Sequence, residues 1–332
     1  MSILQNVNGE YVPFLKGGAF FIDNSTYEVL MECERKAFYQ IVRKRQPKGR
    51  ANPLNFGSAV HAGLDARYKV GGIATDTLPM QLQSAMGFLE GNPTDDWRTA
   101  ELLIDVLSLY SRTYQCEDFE VLSNSETGEK FVELPFGVEF GEIELVEETL
   151  LPSLNDDGSM SMLTLSKIPV VWSGKIDLVV IHNGKYWLVD HKTTSMFGDS
   201  YFEQYRMSSQ FLGYKWALEK TLGIKIEGVM INVLAIRKPT KTGKGCTFHR
   251  QWMPAPDHAV PEWRDNTLTN ITNWFQCLLD GYVPMRTTSC RTKWHSNCQY
   301  INVCTMLPQS REVYLMTGDF EEVTWSPLRG DE

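Results

Sequence analysis

Apolar residues recur with a helical period in the first third of the chain, then alternate like strands, and return to a mixed pattern in the remainder. Ser25 followed by Glu28 reads as a capping box that opens a helix running to about Val42. The segment RKRQPKGRANP after it reads as a basic loop. A second helix is predicted from Gly57, closed by Gly71 and Gly72, and others over 78–90 and 96–115. The last of these places Leu102, Leu103, Val106, Leu107 and Tyr110 on one face. From about 119 to 182 the pattern is strand-like, with a turn at Asn155-Asp156-Asp157-Gly158. A helix over roughly 201–221, the strands GVMINVLAI and CTFHRQWM, and a helix near 260–280 follow. The last fifty residues are loop-rich. Helices, strands, helix and strand in this order predict an α/β layer arrangement.

The most informative stretch is SGKIDLVVIHNGKYWLVDHKTT. Asn183-Gly184 between two β-rich runs predicts a two-residue type I′ hairpin. That turn sets the register: His182 faces Lys185, Ile181 faces Tyr186, and Asp177 faces Asp190. Facing residues have Cβ atoms about 4.5–5.5 Å apart. Both faces of the hairpin are apolar, so the pair is expected in the middle of a covered sheet. Two carboxylates side by side there repel and lose hydration unless a cation or a shared proton compensates. Lys192 projects from the same face as Asp190. Hard oxygen donors of this kind suit Mg²⁺ or Mn²⁺. The lysine would orient or deprotonate an attacking water, or neutralise charge developing on a phosphorane. Without the register, a lone D-x-K would read as strand-end caps and a simple salt bridge.

Composition first argues against a nucleic-acid partner. There are 41 acidic and 32 basic residues, for a net charge of -9, whereas phosphate binding relies on Lys and Arg. The acid is concentrated, however: eleven acids and one lysine lie between Glu117 and Glu148. The remainder is near neutral and carries two basic clusters. One is Arg35, Lys36, Arg43, Lys44, Arg45, Lys48 and Arg50; the other is Arg237, Lys238, Lys241, Lys244 and Arg250. Loops 43–50 and 237–250 are therefore expected to neutralise a strand backbone, and the acidic stretch to face away from it. A hydrophobic fraction of 42% with 22% charged residues fits a folded chain rather than a disordered one. No apolar run is long enough for a membrane span, and the N-terminus lacks the basic and apolar regions of a secretory signal. A soluble cytoplasmic protein, in a host cytoplasm if phage-encoded, is the expectation.

Asp177 and Asp190-His191-Lys192 resemble the core of the PD-(D/E)XK nuclease superfamily, specifically its RecB-like branch. Gly57 to His61 resembles that branch's G-x-x-x-H helix, and Gln210 and Tyr214 its Q-x-x-x-Y motif, four residues apart on one helix face. Asn24-Ser25 and the helix through Cys33 resemble its opening helix. The resemblance spans about residues 20–305. It implies that His61, Asp177, Asp190 and the His191 backbone carbonyl hold the metal. Lys192 would act on the water, with Gln210 and Tyr214 supporting the site and the DNA strand. Glu126 lies loosely where relatives carry a further acid, and Ile176 stands where the motif's proline is expected. The implied fold is a restriction-endonuclease-like core with a central mixed sheet flanked by helices. The expected parts of one integrated domain are a helical segment 1–118, a nuclease core 119–256, and a helix with a cysteine-rich tail 257–332.

Seven cysteines in a reducing compartment predict thiols or metal ligands rather than disulfides. Cys290, Cys298 and Cys304 read as a soft-metal site that lacks a fourth ligand. His295 would complete a zinc site within the tail, while Cys33 would complete a four-thiolate site clamping the first helix to it. The AddB-like and CRISPR-associated iron-sulfur members of the resembled branch imply the second choice, a structural 4Fe-4S cluster on Cys33, Cys290, Cys298 and Cys304. Cys116, Cys246 and Cys277 are expected to be buried or inert. The function implied is a metal-dependent DNA nuclease, foremost a single-strand exonuclease in recombination, repair or phage replication, with a helicase or recombination partner. No Walker-type G-x-x-x-x-G-K-[ST] stretch is present, so any unwinding must be supplied by such a partner. The rival is a non-catalytic nucleic-acid-binding module that keeps the fold as a scaffold.

Overall fold

The structure is a computed structural model. It describes residues 15–48, 52–71, 74–240, 245–281, 284, 286–287, 290, 297–316 and 319–323. In chain order the elements begin with β1 (Leu15–Lys16), β2 (Phe20–Asp23), α1 (Asn24–Glu32), α2 (Glu34–Ala37), a π turn over Phe38–Val42, and β3 (Arg45–Pro47). Then come α3 (Asn52–Lys69), α4 (Ala74–Gly91), α5 (Ala100–Thr113), β4 (Glu120–Val121), β5 (Val132–Leu154), β6 (Met160–His182) and β7 (Lys185–Thr194). A 3₁₀ turn over Tyr201–Tyr205 leads to α6 (Ser209–Leu222), β8 (Ile226–Ile236), β9 (Cys246–Pro254) and α7 (Ala259–Leu279). The chain continues with α8 (Ile301–Thr305), α9 (Pro308–Met316) and β10 (Phe320–Glu322). The sheet runs β1-β5-β6-β7-β8-β9, with β2 and β4 also paired to β6. It is mixed: β7 and β8 are parallel, whereas β6/β7 and β8/β9 are antiparallel. The expected α/β fold with a mixed sheet flanked by helices is thus observed.

The chain divides into two compact units, one of residues 1–49, 137–174 and 261–332, the other of 50–136 and 175–260. In the second unit, the face of the β6/β7 hairpin bearing Leu178, Val180, Trp187 and Val189 joins a core formed with α3, α4 and α5. The helix α5 contributes the predicted stripe of Leu102, Leu103, Val106, Leu107 and Tyr110, all buried. Burial of each such aliphatic side chain contributes about 1.5–3 kcal/mol. The opposite face of β7 looks toward α6, which forms the crossover between parallel β7 and β8. The Asn183-Gly184 turn has positive φ at both residues, as a type I′ turn requires, and the register follows the prediction through Leu178↔Val189. The ladder ends there, one pair short of Asp177 and Asp190.

In the first unit, β2 pairs parallel with the Val170–Ser173 part of β6. Phe140, Trp172 and Trp263 pack ring on ring, as do Phe20, Trp274 and Phe275. The opening helix differs from the expectation. Asp23 rather than Ser25 caps it, accepting from the Thr26 N–H at 2.7 Å, because the helix begins two residues earlier, at Asn24. It also breaks at Cys33, whose backbone is extended, although no glycine or proline marks the place. The basic segment 43–48 is not a free loop. Arg43 is buried and ion-paired with Glu312, and Arg45 lies in β3, paired with β10 and bonded to Glu322. Arg50, Lys241 and Lys244 lie outside the described residues. No described helix is long and apolar enough to cross a membrane.

Candidate active site

The site forms where the β6/β7 ladder ends, and the lost ladder bonds are replaced by side chains. Asp177 Oδ2 accepts the backbone N–H of His191 at 2.7 Å. His61 Nδ1 lies 3.7 Å from that oxygen. Lys192 Nζ is 2.8 Å from Asp190 Oδ2. Gln210 ties the group together: its Oε1 accepts from Lys192, while its amide nitrogen meets Asp190 Oδ1 and the Tyr214 hydroxyl, each at 3.1 Å. Asp177, Asp190, His191, Lys192, His61, Gln210 and Tyr214 are therefore brought together. The glycine of Gly57-x-x-x-His61 has a local reason. A Cβ there would stand 2.7 Å from Thr193 Oγ1, so only glycine lets α3 approach β7 closely enough to deliver His61.

Burial dominates the electrostatics. It pushes the carboxyls of Asp177 and Asp190 up to about 6, against the pull of the His191 N–H on the first and of Lys192 on the second. It also holds His61 below the ordinary histidine value, against the pull of Asp190. Burial works to lower Lys192 as well, but Asp190 and Asp177 outweigh it and keep the ammonium above its ordinary value.

Two acids the sequence reading missed also act on the site. Glu133, at φ +55°, is ion-paired with Lys175 and raises both His61 and Asp177. Asp65 is driven far above the carboxylate range by burial, Glu133 and Asp177, and its Oδ1 is buried without a hydrogen-bond partner. Asp65 is one helical turn beyond His61, a spacing that was available in the sequence. Glu126, by contrast, is exposed in the Asn124–Gly128 turn. The expectation that the acidic stretch faces away from the DNA is corrected at Glu133, which acts on His61 and Asp177, while Glu117 is buried on the opposite face of β7 in the network described next.

Behind His191, on the other face of β7, lies a continuous polar network. Arg250 Nε donates to Asn232 Oδ1 at 3.2 Å, which turns the Asn232 amide nitrogen toward His191 Nδ1 and the Tyr110 hydroxyl, each at 2.8 Å. Tyr110 meets Tyr68 at 3.1 Å, and Tyr68 donates to Glu117 at 2.9 Å. Glu117 also takes Arg67 at 2.8 Å and Arg250 at 2.5 Å. Burial keeps the His191 ring well below its ordinary titration range. Arg250, expected as a backbone-neutralising loop residue, is instead a member of β9 enclosed by Glu117 and Tyr114, because it stands opposite Asn232 in the β8/β9 register.

The donor set fits a hard divalent cation: two adjacent carboxylates, a neutral imidazole and an unpartnered carboxyl oxygen at Asp65. The fit is one of donor chemistry: among the described residues, no group of three or more His, Cys, Asp or Glu side chains is arranged to hold a metal ion. The four cysteines named in the sequence fall in one neighbourhood of the first unit. Cys298 N–H donates to the Cys290 carbonyl at 3.0 Å, and the Cys304 thiol, pushed up by burial, senses both Cys33 and Cys290. His295 lies outside the described residues. Cys116 is exposed rather than buried, and Cys246 and Cys277 are half-buried.

A family model of the PD-(D/E)XK nuclease superfamily matches residues 24–305, and the chain belongs to that superfamily. It is a nuclease by class, and such nucleases use Mg²⁺ or Mn²⁺. Among solved structures, a candidate exonuclease from Eubacterium rectale is 13% identical, with 85% of this chain and 88% of that one covered at a TM-score of 0.49. The protein SSO0001 is 14% identical, with 80% and 98% covered at a TM-score of 0.21. No curated protein matches the chain.

Proposed function

We propose that the protein is a Mg²⁺- or Mn²⁺-dependent deoxyribonuclease that removes nucleotides from single-stranded DNA ends, in recombination, repair or phage replication. The observation that carries this reading is the Asp177, Asp190, Lys192 and Gln210 constellation, held by hydrogen bonds at the open end of the hairpin. Asp177, Asp190, His61 and the His191 carbonyl would hold the metal. Such an ion would supply Lewis-acid activation of the attacking water and charge neutralisation at the scissile phosphate. Lys192, kept as a cation by its two carboxylates, orients the water and balances the negative charge that builds on the phosphorus oxygens. Gln210 fixes Lys192 and Asp190 relative to each other, and Tyr214 fixes Gln210. We further assign Cys33, Cys290, Cys298 and Cys304 to a structural 4Fe-4S cluster, for which their mutual electrostatic influence within one unit is the support. Zinc is the alternative, and anaerobically purified protein that is brown rather than colourless decides between them.

The test offers linear and circular DNA, single- and double-stranded, with Mn²⁺. Release of nucleotides from linear single strands alone is the expected result. Cleavage of circles would replace exonuclease by endonuclease action, and no cleavage of any form would leave only a binding module.

A further inference from the structure

We propose that residues 196–207, the connection between β7 and α6, form a stacking platform for the unpaired bases of the strand being cleaved. This rests on the nuclease reading above and names the form in which the substrate is held. The segment joins Lys192 on one side to Gln210 on the other, so whatever lies on it lies beside the site. It is rich in rings: Phe197, Tyr201, Phe202 and Tyr205 fall within nine residues, and His249 of β9 stacks on Phe197 at 4.0 Å. None of them belongs to the core cluster of this unit, and all five are half-buried. Tyr201 meets Phe202 and Tyr205 edge-on, at interplanar angles of 87° and 61°, and Phe197 at 44°. Phe197 is covered on one face by His249 and Tyr205 packs against Phe211, whereas Tyr201 and Phe202, edge-on to one another, are not stacked face to face on any ring. A base presents the complementary flat face, whatever its identity.

The platform is tied to the chemistry. Lys192 Nζ lies 6.0 Å from the Tyr205 ring centroid, and the Tyr201 hydroxyl acts electrostatically on the same ammonium. Its surroundings suit a polyanion. Arg237 donates to the Phe197 carbonyl at 3.1 Å and is exposed, as are Arg206 and Lys238. Arg206 is paired with Glu203 and Lys192 with Asp190, which leaves the exposed Arg237 and Lys238 against Asp199. Met196 and Met207, 60% and 58% exposed, flank the rings with the adaptable apolar surface that an irregular strand requires. A duplex keeps its bases stacked on each other, so the platform favours single strands and frayed ends.

The test uses the full-length protein. Tyr201→Leu keeps the apolar volume and removes the π face, while Tyr201→Phe keeps the face and removes the hydroxyl. On single-stranded DNA, Tyr201→Leu is expected to raise KM about tenfold with kcat changed less than about twofold, and Tyr201→Phe to match wild type. In parallel, 2-aminopurine in an oligonucleotide should lose fluorescence on binding to an Asp190→Asn background, and lose less when Tyr201→Leu is added. Phe202→Leu serves as a second variant should the first not fold. Equal KM for the leucine variants and wild type, or equal KM shifts for Leu and Phe, would overturn the platform. If wild type cleaves nothing yet Tyr201→Leu still relieves the fluorescence loss, the nuclease reading fails and the platform stands.

Discussion

On one face of β7, Asp190 and Lys192 meet at 2.8 Å beside Asp177, with side chains that remain partly reachable from solvent. On the other face, one residue out of phase, His191 sits on Asn232 and a hydrogen-bonded set of arginines, tyrosines and Glu117. Both faces bury charge, but they resolve it differently. The outer face leaves an imbalance of carboxylates, two of which are pushed up to about 6, and this unfavourable state is what a divalent cation would relieve. The inner face sets one carboxylate, Glu117, between Arg67 and Arg250, and hydrogen bonds link them through Tyr68, Tyr110 and Asn232 to His191. Carboxylates crowded on one face and opposite charges paired on the other are the expected division between a metal-binding site and its support.

Substitutions separate the two faces. Asp190→Asn should lower cleavage about a thousandfold or more while leaving the metal-free protein at least as stable as wild type at neutral pH, by nuclease assay and thermal melting. On the inner face, Glu117→Gln leaves two buried arginines uncompensated. It should cost about 3–5 kcal/mol in urea unfolding, with little change in kcat of the folded fraction. Loss of stability from the first variant and of turnover from the second would reverse the assignment.

The pH dependence follows from the outer face. Asp177 and Asp190 titrate near 6 when folded, above the ordinary carboxylate value of about 3.9. The folded protein therefore binds more protons than the unfolded chain between about pH 4 and 6, and metal-free stability rises as pH falls through that window. Mn²⁺ affinity should move the opposite way, weakening below about pH 6, because the metal needs both carboxylates charged. Calorimetry at pH 5 and pH 7.5 reads both. The smallest effect belongs to Tyr214→Phe, which removes one neutral hydrogen bond to Gln210 and should slow cleavage about fivefold.

Much of the outer face was legible in the sequence because it is local: one type I′ turn sets the register that carries Asp177 to Asp190, and Lys192 follows from the pleat. Gln210 and Tyr214 needed the family resemblance, and Asp65 needed only attention to the turn after His61. The inner face was not legible, because Arg250 reaches Asn232 only through the β8/β9 pairing, and Glu117 looked like one more member of an acidic run. The break at Cys33 was equally hidden, since its flanking residues read as one continuous helix. Charge counting misled in both directions: Arg43 and Arg250 are enclosed, and Glu117 and Glu133 are not remote.

The central claim is that Lys192 acts on the reaction while the carboxylates hold the metal. Single-turnover cleavage of an end-labelled single strand by Lys192→Met, with Mn²⁺ binding measured on the same preparation, tests it most directly. Mn²⁺ affinity equal to or tighter than wild type, with cleavage reduced about a thousandfold, is the predicted result. Cleavage at the wild-type rate, or loss of Mn²⁺ binding in step with activity, would contradict it.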